Sequence, residues 1–354
     1  MDSITQITLG AAVGEAVAGK KAGFKAAAWG AFLGTFPDLD VLANPFLDTV
    51  NQLYFHRGIT HSLLFCVIAS LAFGWIINRI HPKLKIGWYV WAKLAFWVFF
   101  THIFIDLLTT YGTQILYPLT NKPFSLDSVF IIDPLFTIPV LLGLMAALIL
   151  KRKSNAGYNI NLAGLAIGAA YLIWGWGIKS HVNSVFDSSF THQHGYYQEI
   201  KTTPTGPSTF LWNAYIIKND TLYQSVYSIF DEQKTTRFRA IPMNSQLIEP
   251  YKNDRGVETL LWFSRGYYTV QKEGEKLVFY DLRFGRSDFW LTENENVPYV
   301  WRNEVLIDNQ NRAYSFNLSN PSFEARSSVL NRYRKRIWGE RVISQFFITF
   351  IAQN

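Results

Sequence analysis

Apolar residues fall in long blocks along the first half of the chain and in short alternating runs along the second. Four blocks approach the ~20 residues an α-helix needs to cross a hydrocarbon core. They are Ser62–Ile80, Trp88–Leu108, Phe130–Leu150 and Ile160–Ile178. Two weaker blocks precede them, Ile4–Ala18 and Ala22–Phe36. Both are rich in Ala and Gly, with Gly10–Gly14 and Gly30–Gly34 at four-residue spacing. Small residues so placed let helices approach closely in a membrane, so this pair predicts a tight helical hairpin. An α-helical membrane bundle of about six short transmembrane helices is therefore expected over residues 1–180. Past Ile178 the pattern changes. Thr209–Ile217, Leu260–Val270 and Lys276–Leu282 are rich in Tyr, Phe, Trp, Val and Thr, and turn residues such as Lys218–Asn219–Asp220 and Glu273–Gly274 interrupt the region. These read as strands. With a closing amphipathic helix near Asn331–Ile348, they predict a small β-rich soluble domain over residues 185–354.

Charge sharpens this division. Residues 1–178 hold 12 Lys and Arg against 8 Asp and Glu, whereas residues 179–354 hold 21 against 18. Basic residues gather between alternate spans: Lys20, Lys21 and Lys25, then Arg79, Lys83 and Lys85, then Lys151, Arg152 and Lys153. Basic loops face the cytoplasm. The loops 37–61 and 109–129, the N-terminus and everything after Ile178 are then expected outside, making the β-rich domain extracytoplasmic. The net charge of +7 is spread thinly; without a basic stripe interleaved with aromatics, it gives no nucleic-acid footprint. The lone Cys66 excludes a disulfide framework and reads as a small core residue. Asp2 and the lack of a basic leader argue against a cleavable signal peptide.

The ionisable residues of the first half converge on the expected outer side. Asp38 and Asp40 follow the second span, and His56 and His61 precede the third. His102 and Asp106 end the fourth, and Asp127 and Asp133 flank the start of the fifth. Imidazole nitrogen and carboxylate oxygen are the ligands of zinc in hydrolytic sites. His102 and Asp106 are four residues apart and share a helix face. Buried in apolar surroundings, such groups are costly unless they bind a metal or pair with each other. The expected ligands are Asp38, His56, His61, His102 and Asp106, holding a divalent metal, with zinc the expected ion. Asp40 or Asp133 is the expected general base. Arg57 either holds an anionic group such as a phosphate or snorkels to the headgroups. Each residue also has an ordinary explanation, as a buried pair, an interfacial histidine or a helix cap. Glu15 reads as structural, Asp127 as a loop carboxylate or cap, and His192 with His194 as a surface pair.

At these residues the sequence resembles the YdjM-like family of predicted metal-dependent hydrolases of bacterial inner membranes. The resemblance rests on Met1-Asp-Ser-Ile-Thr-Gln6 with Gly10-Ala-Ala-Val-Gly-Glu15, on Pro37-Asp-Leu-Asp40, on His56-Arg-Gly-Ile-Thr-His-Ser62, on His102 through Asp106 with Thr109-Thr-Tyr-Gly112, and on Phe130-Ile-Ile-Asp-Pro134. It covers about residues 1–150. Many relatives carry a histidine near the extreme N-terminus, where this chain has Gln6. The resemblance implies a multi-pass protein of the bacterial inner membrane. The His-x-x-x-Asp spacing at 102 and 106 is also similar to one in zinc-dependent phospholipases C and related nucleases.

Together these readings lead to a membrane-bound metal-dependent hydrolase. It is expected to cleave an ester or phosphoester, lipid or lipid-linked, at the outer face of the membrane, with membrane lipid as its partner. Two other classes compete. An ion or metal transporter would place ligands near the bilayer midplane. A non-enzymatic membrane protein would use its outer domain to bind a partner and its polar cluster only to stabilise the bundle.

Overall fold

The computed structural model describes residues 1–150, 155–274, 276–292, 297–307, 313–319 and 327–339. The chain divides into two compact units, Met1–Lys179 with Pro207–Thr209, and Ser180–Gly206 with Phe210–Asn354.

The first unit opens with the helical hairpin. Helix α1 (Ser3–Ala22) starts at Asp2, whose carboxylate accepts the amides of Ile4 and Thr5. Such a cap satisfies amides that would otherwise lack partners. Gly23, at φ 63°, turns the chain into α2 (Phe24–Thr35). The two helices meet through the paired glycines. A Cβ on Gly10 would lie 2.3 Å from the Gly30 carbonyl oxygen, and one on Gly34 would lie 2.6 Å from that of Gln6. No side chain fits either place.

An irregular stretch follows, formed by a 3-10 segment (Phe36–Phe46), the short α3 (Thr49–Phe55) and one 3-10 turn (Ile59–His61). Helix α4 (Leu63–Ile80) begins at Ser62, whose hydroxyl accepts the Phe65 amide. After α5 (Trp88–Leu107) and a loop come α6 (Pro134–Ile149), capped by Asp133, and α7 (Asn155–His194), whose residues from Ser180 on belong to the second unit. Helix α5 is the spine of the unit. Its Trp91, Leu94, Ala95, Val98 and Phe99 are fully buried, and it packs against α1, α2 and α4.

Among the described residues, α4, α5 and α7 are long and apolar enough to cross a membrane, and α6 is a shorter apolar helix. The six expected spans therefore reduce to three candidates. The first pair falls short for a physical reason. Its Ala and Gly favour close helix contact over lipophilicity, and α2 has only 12 residues.

The second unit holds two antiparallel four-stranded sheets. The first contains β1 (Glu199–Pro204), β2 (Leu211–Lys218), β3 (Thr221–Ser228) and β4 (Arg239–Pro242), in that order. Lys218 pairs with Thr221 across a two-residue turn, with Asn219 at φ 56°. That left-handed conformation suits asparagine in a tight hairpin. Helix α8 (Arg255–Ser264) comes next. The second sheet contains β5 (Tyr268–Glu273), β6 (Lys276–Arg286), β7 (Tyr299–Ile307) and β8 (Ala313–Ser319). The expected strand Lys276–Leu282 lies within β6, and Thr209–Ile217 overlaps β2. Leu260–Val270 is instead split, because Leu260–Ser264 ends α8 and β5 starts only at Tyr268. Val257, Leu260 and Phe263 are buried at three-residue spacing, a helical period that the aromatic content obscured. Helix α9 (Ser327–Ile337) corresponds to the expected closing helix; its continuation over 340–348 lies outside the described residues.

Candidate metal centre

The irregular stretch after α2 and the end of α5 bring four residues together. Asp38 comes from the 3-10 segment, His61 from the turn before α4, and His102 and Asp106 from the last turns of α5. One ligand atom from each lies within 4.8 Å of all the others. His61 Nε2 is 3.3 Å from Asp38 Oδ1, 3.3 Å from Asp106 Oδ2 and 3.2 Å from His102 Nε2. His102 Nε2 is 3.7 Å from both carboxylate oxygens. A tetrahedral ion with bonds of roughly 2.0–2.1 Å has ligand–ligand edges of about 3.3–3.4 Å. Five of the six edges, at 3.2–3.7 Å, thus lie close to those of such a polyhedron, and the sixth is within 4.8 Å.

Hydrogen bonds on the far side of each ring fix what points inward. His102 Nδ1 donates to the Gly34 carbonyl at 2.7 Å. That carbonyl is held in place by the glycine-lined α1–α2 hairpin. His61 Nδ1 lies 3.0 Å from Thr60 Oγ1, and the Thr60 hydroxyl donates to Asp40 Oδ2 at 3.2 Å. These partners assign the proton to Nδ1 on both rings and turn both Nε2 lone pairs inward. Asp106 Oδ1 accepts Gln6 Nε2 at 3.0 Å and the Met1 amino group. Its Oδ2, fully buried, has no hydrogen-bond partner. With both rings neutral and so oriented, four acceptor atoms face one another, and the donor beside them, Arg57 Nε, lies 3.4 Å from Asp106 Oδ2 without a hydrogen bond. Burial opposes charging His61, yet the Asp106 and Asp38 carboxylates outweigh it and raise its pKa. This is a field that favours positive charge. The residues fit a divalent ion.

A second layer surrounds the four. Asp40 accepts His56 Nδ1 at 2.9 Å, the Arg57 amide at 3.0 Å and the Thr60 hydroxyl. Burial would raise the Asp40 carboxyl, but the bonds from His56 and Arg57 hold it below the usual range. Arg57 is a non-glycine residue at φ 56°, a conformation that needs surrounding support. Its carbonyl accepts the Gln114 amide, and its Nη1 donates to Thr109 Oγ1 at 3.0 Å. Its guanidinium also lies 4.9 Å from the Tyr111 ring centre. Arg57 Nε, 3.4 Å from Asp106 Oδ2, makes no hydrogen bond.

Sequence reasoning placed eight residues at or beside this site. Asp38, His61, His102 and Asp106 form the group, with Asp40 and Arg57 packed around it. His56, an expected ligand, is not one of the four. Its Nδ1 is spent on Asp40. Asp133, an expected base, caps α6 through the Leu135 amide at 3.1 Å and accepts the Tyr171 hydroxyl at 2.7 Å. Asp127 accepts the Ser125 hydroxyl at 3.0 Å. His192 is exposed, and His194 packs against the Phe190 and Tyr223 rings in tilted contacts. Gln6, Gly34 and Thr109 take part without having been assigned roles. Only the glycine spacing hinted at Gly34, since a backbone acceptor leaves no side-chain signature.

The model of the family described as YdjM inner membrane protein matches residues 1–182. The chain is 30% identical over 102 residues to inner membrane protein YbcI of Escherichia coli K12, covering 27% of this chain and 54% of that protein. It is likewise 30% identical over 102 residues to the uncharacterized protein YfhP of Bacillus subtilis 168, covering 27% and 30%. The match thus spans about half or less of these relatives' length. No solved structure matches. Over the half that builds the helical unit and its buried His/Asp cluster, the chain belongs to the YdjM inner membrane protein family.

Proposed function

We propose that this protein is a membrane-bound metal-dependent hydrolase that cleaves an ester or phosphoester of a lipid or lipid-linked substrate at the outer face of the inner membrane. The observation carrying this reading is the convergence of four ligand atoms, three of them on buried side chains and one on Asp38 at the open side. Asp38, His61, His102 and Asp106 would hold zinc or a similar ion. Such an ion, when bound, supplies a Lewis acid and lowers the pKa of a bound water to about 7. The chain's own residues supply the rest. Arg57 sits beside Asp106 with an unused Nε–H, a donor suited to an anionic group such as a phosphate. Asp40 orients His56, whose ring is partly exposed, and this pair supplies the proton acceptor.

The reading includes the topology. The basic residues Lys20, Lys21, Lys25, Arg79, Lys83 and Lys85 lie at the helix ends opposite the cluster. By the positive-inside rule the cluster lies outside, and with it the β-rich unit.

The test is hydrolysis by detergent-purified protein of bis(p-nitrophenyl) phosphate and of phosphatidylglycerol vesicles. The expected result is turnover that EDTA abolishes, zinc restores and His102→Ala lacks. Turnover indifferent to chelator, or none on any phosphoester or ester offered, rejects the reading.

A further inference from the structure

Three of the four candidate ligands are sealed, and the site has one open side. His61, His102 and Asp106 have side chains at most 1% exposed, whereas Asp38 is 22% exposed. The surroundings of Asp38 are unusual for a loop expected in water. In a 3-10 helix, residues i and i+3 eclipse one another, so the segment Phe36–Phe46 presents separate rows. One row starts with Pro37 and Asp40 buried against the site and emerges through Ala43 to Phe46 at the end of the segment. The next, Leu39, Leu42 and Pro45, points outward, and Leu42 is 67% exposed. Phe46 closes the segment at 88% exposure.

The loop beyond α5 repeats this feature. Gln114 ties that loop to the His56–Arg57 stretch, its amide donating to the Arg57 carbonyl and its side chain to the Tyr54 carbonyl. Leu119, five residues on, is 88% exposed. Large apolar groups on both segments beside the opening cannot face water without cost. From Ile59 this surface continues through Leu63 and Leu64 onto the exposed apolar face of α4, one of the helices apolar enough to cross a membrane.

We infer that the segment Phe36–Phe46, with the Leu119 loop, is an interfacial lip. It seats the open side of the metal centre at the boundary between headgroups and acyl chains, so that ligands reach Asp38 from the lipid phase. The occupant of the lip is phospholipid. Amphipathic segments of this kind bury their apolar side a few ångströms below the headgroups. The inference deepens the hydrolase reading above by fixing the substrate as a bilayer-resident amphiphile. The placement of the lip can be read without any activity.

The chain's one cysteine, Cys66, is buried, so Cys66→Ala gives a clean background for single labels. Full-length protein carrying Phe46→Cys, Leu42→Cys or Lys252→Cys is labelled with an NBD fluorophore and placed in phosphatidylcholine/phosphatidylglycerol nanodiscs. Lys252 is an exposed charged position in the second unit. Labels at 46 and 42 should emit to the blue of the Lys252 label and be quenched about twofold or more by lipid-borne doxyl groups, while aqueous iodide leaves them bright. Labels at 46 and 42 that iodide quenches and doxyl lipid does not would overturn the lip, as would emission lost to a second labelled copy in place of lipid. A second arm separates this from the enzyme reading. Leu42→Ser/Phe46→Ser should lower turnover of phosphatidylglycerol in vesicles about tenfold and spare bis(p-nitrophenyl) phosphate. Equal loss on both substrates counts against the lip alone, and absence of any turnover counts against the hydrolase alone.

Discussion

Both units bury charge, and they do so in opposite ways. In the second unit each buried carboxylate beside β6 has a guanidinium of its own. Arg283 reaches Asp281 through Nε at 2.9 Å and Nη2 at 2.5 Å, and Arg286 reaches Asp288 through Nε at 3.1 Å and Nη2 at 2.7 Å. The Asp288 oxygens accept further bonds from the Trp290 and Thr292 amides. Donors and acceptors balance, and nothing more is required of these pairs than to hold the strand and its turn. In the first unit Asp38, His61, His102 and Asp106 turn acceptors toward acceptors; most donors nearby bond the outer side of the group, and Arg57 Nε, 3.4 Å from Asp106 Oδ2, makes no hydrogen bond to it. A buried polar network left unbalanced is costly. A bound cation would complete the set in the helical unit, which could hold one. Charge burial alone does not mark a site; an unmatched set of acceptors does.

The sharpest way to break this contrast is to remove the cation. Chelation should speed amide hydrogen exchange by about tenfold or more over Phe36–Phe46 and Ile59–His61 and leave β6 unchanged; equal effects in both units would erase the distinction. The converse substitution is Asp288→Ala, which strands Arg286. It should destabilise the second unit by about 3–5 kcal/mol in denaturant unfolding without changing metal content. A weaker effect is expected at Gln6, which orients Asp106 through Oδ1. Gln6→Ala should weaken zinc binding by about 10–100-fold in a competition titration, and unchanged affinity would show that Asp106 needs no such support.

The smallest effect is on pH dependence. Burial would raise the Asp288 carboxyl, but hydrogen bonds from Arg286 and Thr292 depress it below the usual range. A depressed carboxyl adds stability that is complete above its unfolded value. That stability is lost as pH falls from the ordinary aspartate range of about 4 toward the lower folded value. Asp288→Asn should flatten unfolding curves in that acid window and leave the slope near neutrality alone. An unchanged slope would mean that Asp288 carries no such linkage.

Much of the helical unit was legible because its signals are local. Four-residue glycine spacing announced the α1–α2 contact, and the i, i+4 spacing of His102 and Asp106 placed both on one face of α5. What was not legible depends on backbone geometry. Asp38 and Asp40 alternate in sequence, and only the 3-10 winding sends Asp40 under Pro37 while leaving Asp38 at the opening. His56 and His61 look equivalent until the left-handed turn at Arg57 separates them. The strand expected over Leu260–Val270 failed for a related reason. Trp262 and Phe263 suggest a pleated surface, yet Val257, Leu260 and Phe263 follow a helical period up to the turn at Arg265 and Gly266, where φ is 54° and 84°.

The central claim is that the four facing acceptors bind one divalent ion. Elemental analysis of detergent-purified wild-type protein, beside His61→Ala and His102→Ala, tests it most directly. About one equivalent of zinc or a similar metal per chain is expected for the wild type, and close to none for either variant. A metal-free wild type that takes up none on addition, or variants that retain the full equivalent, would contradict it.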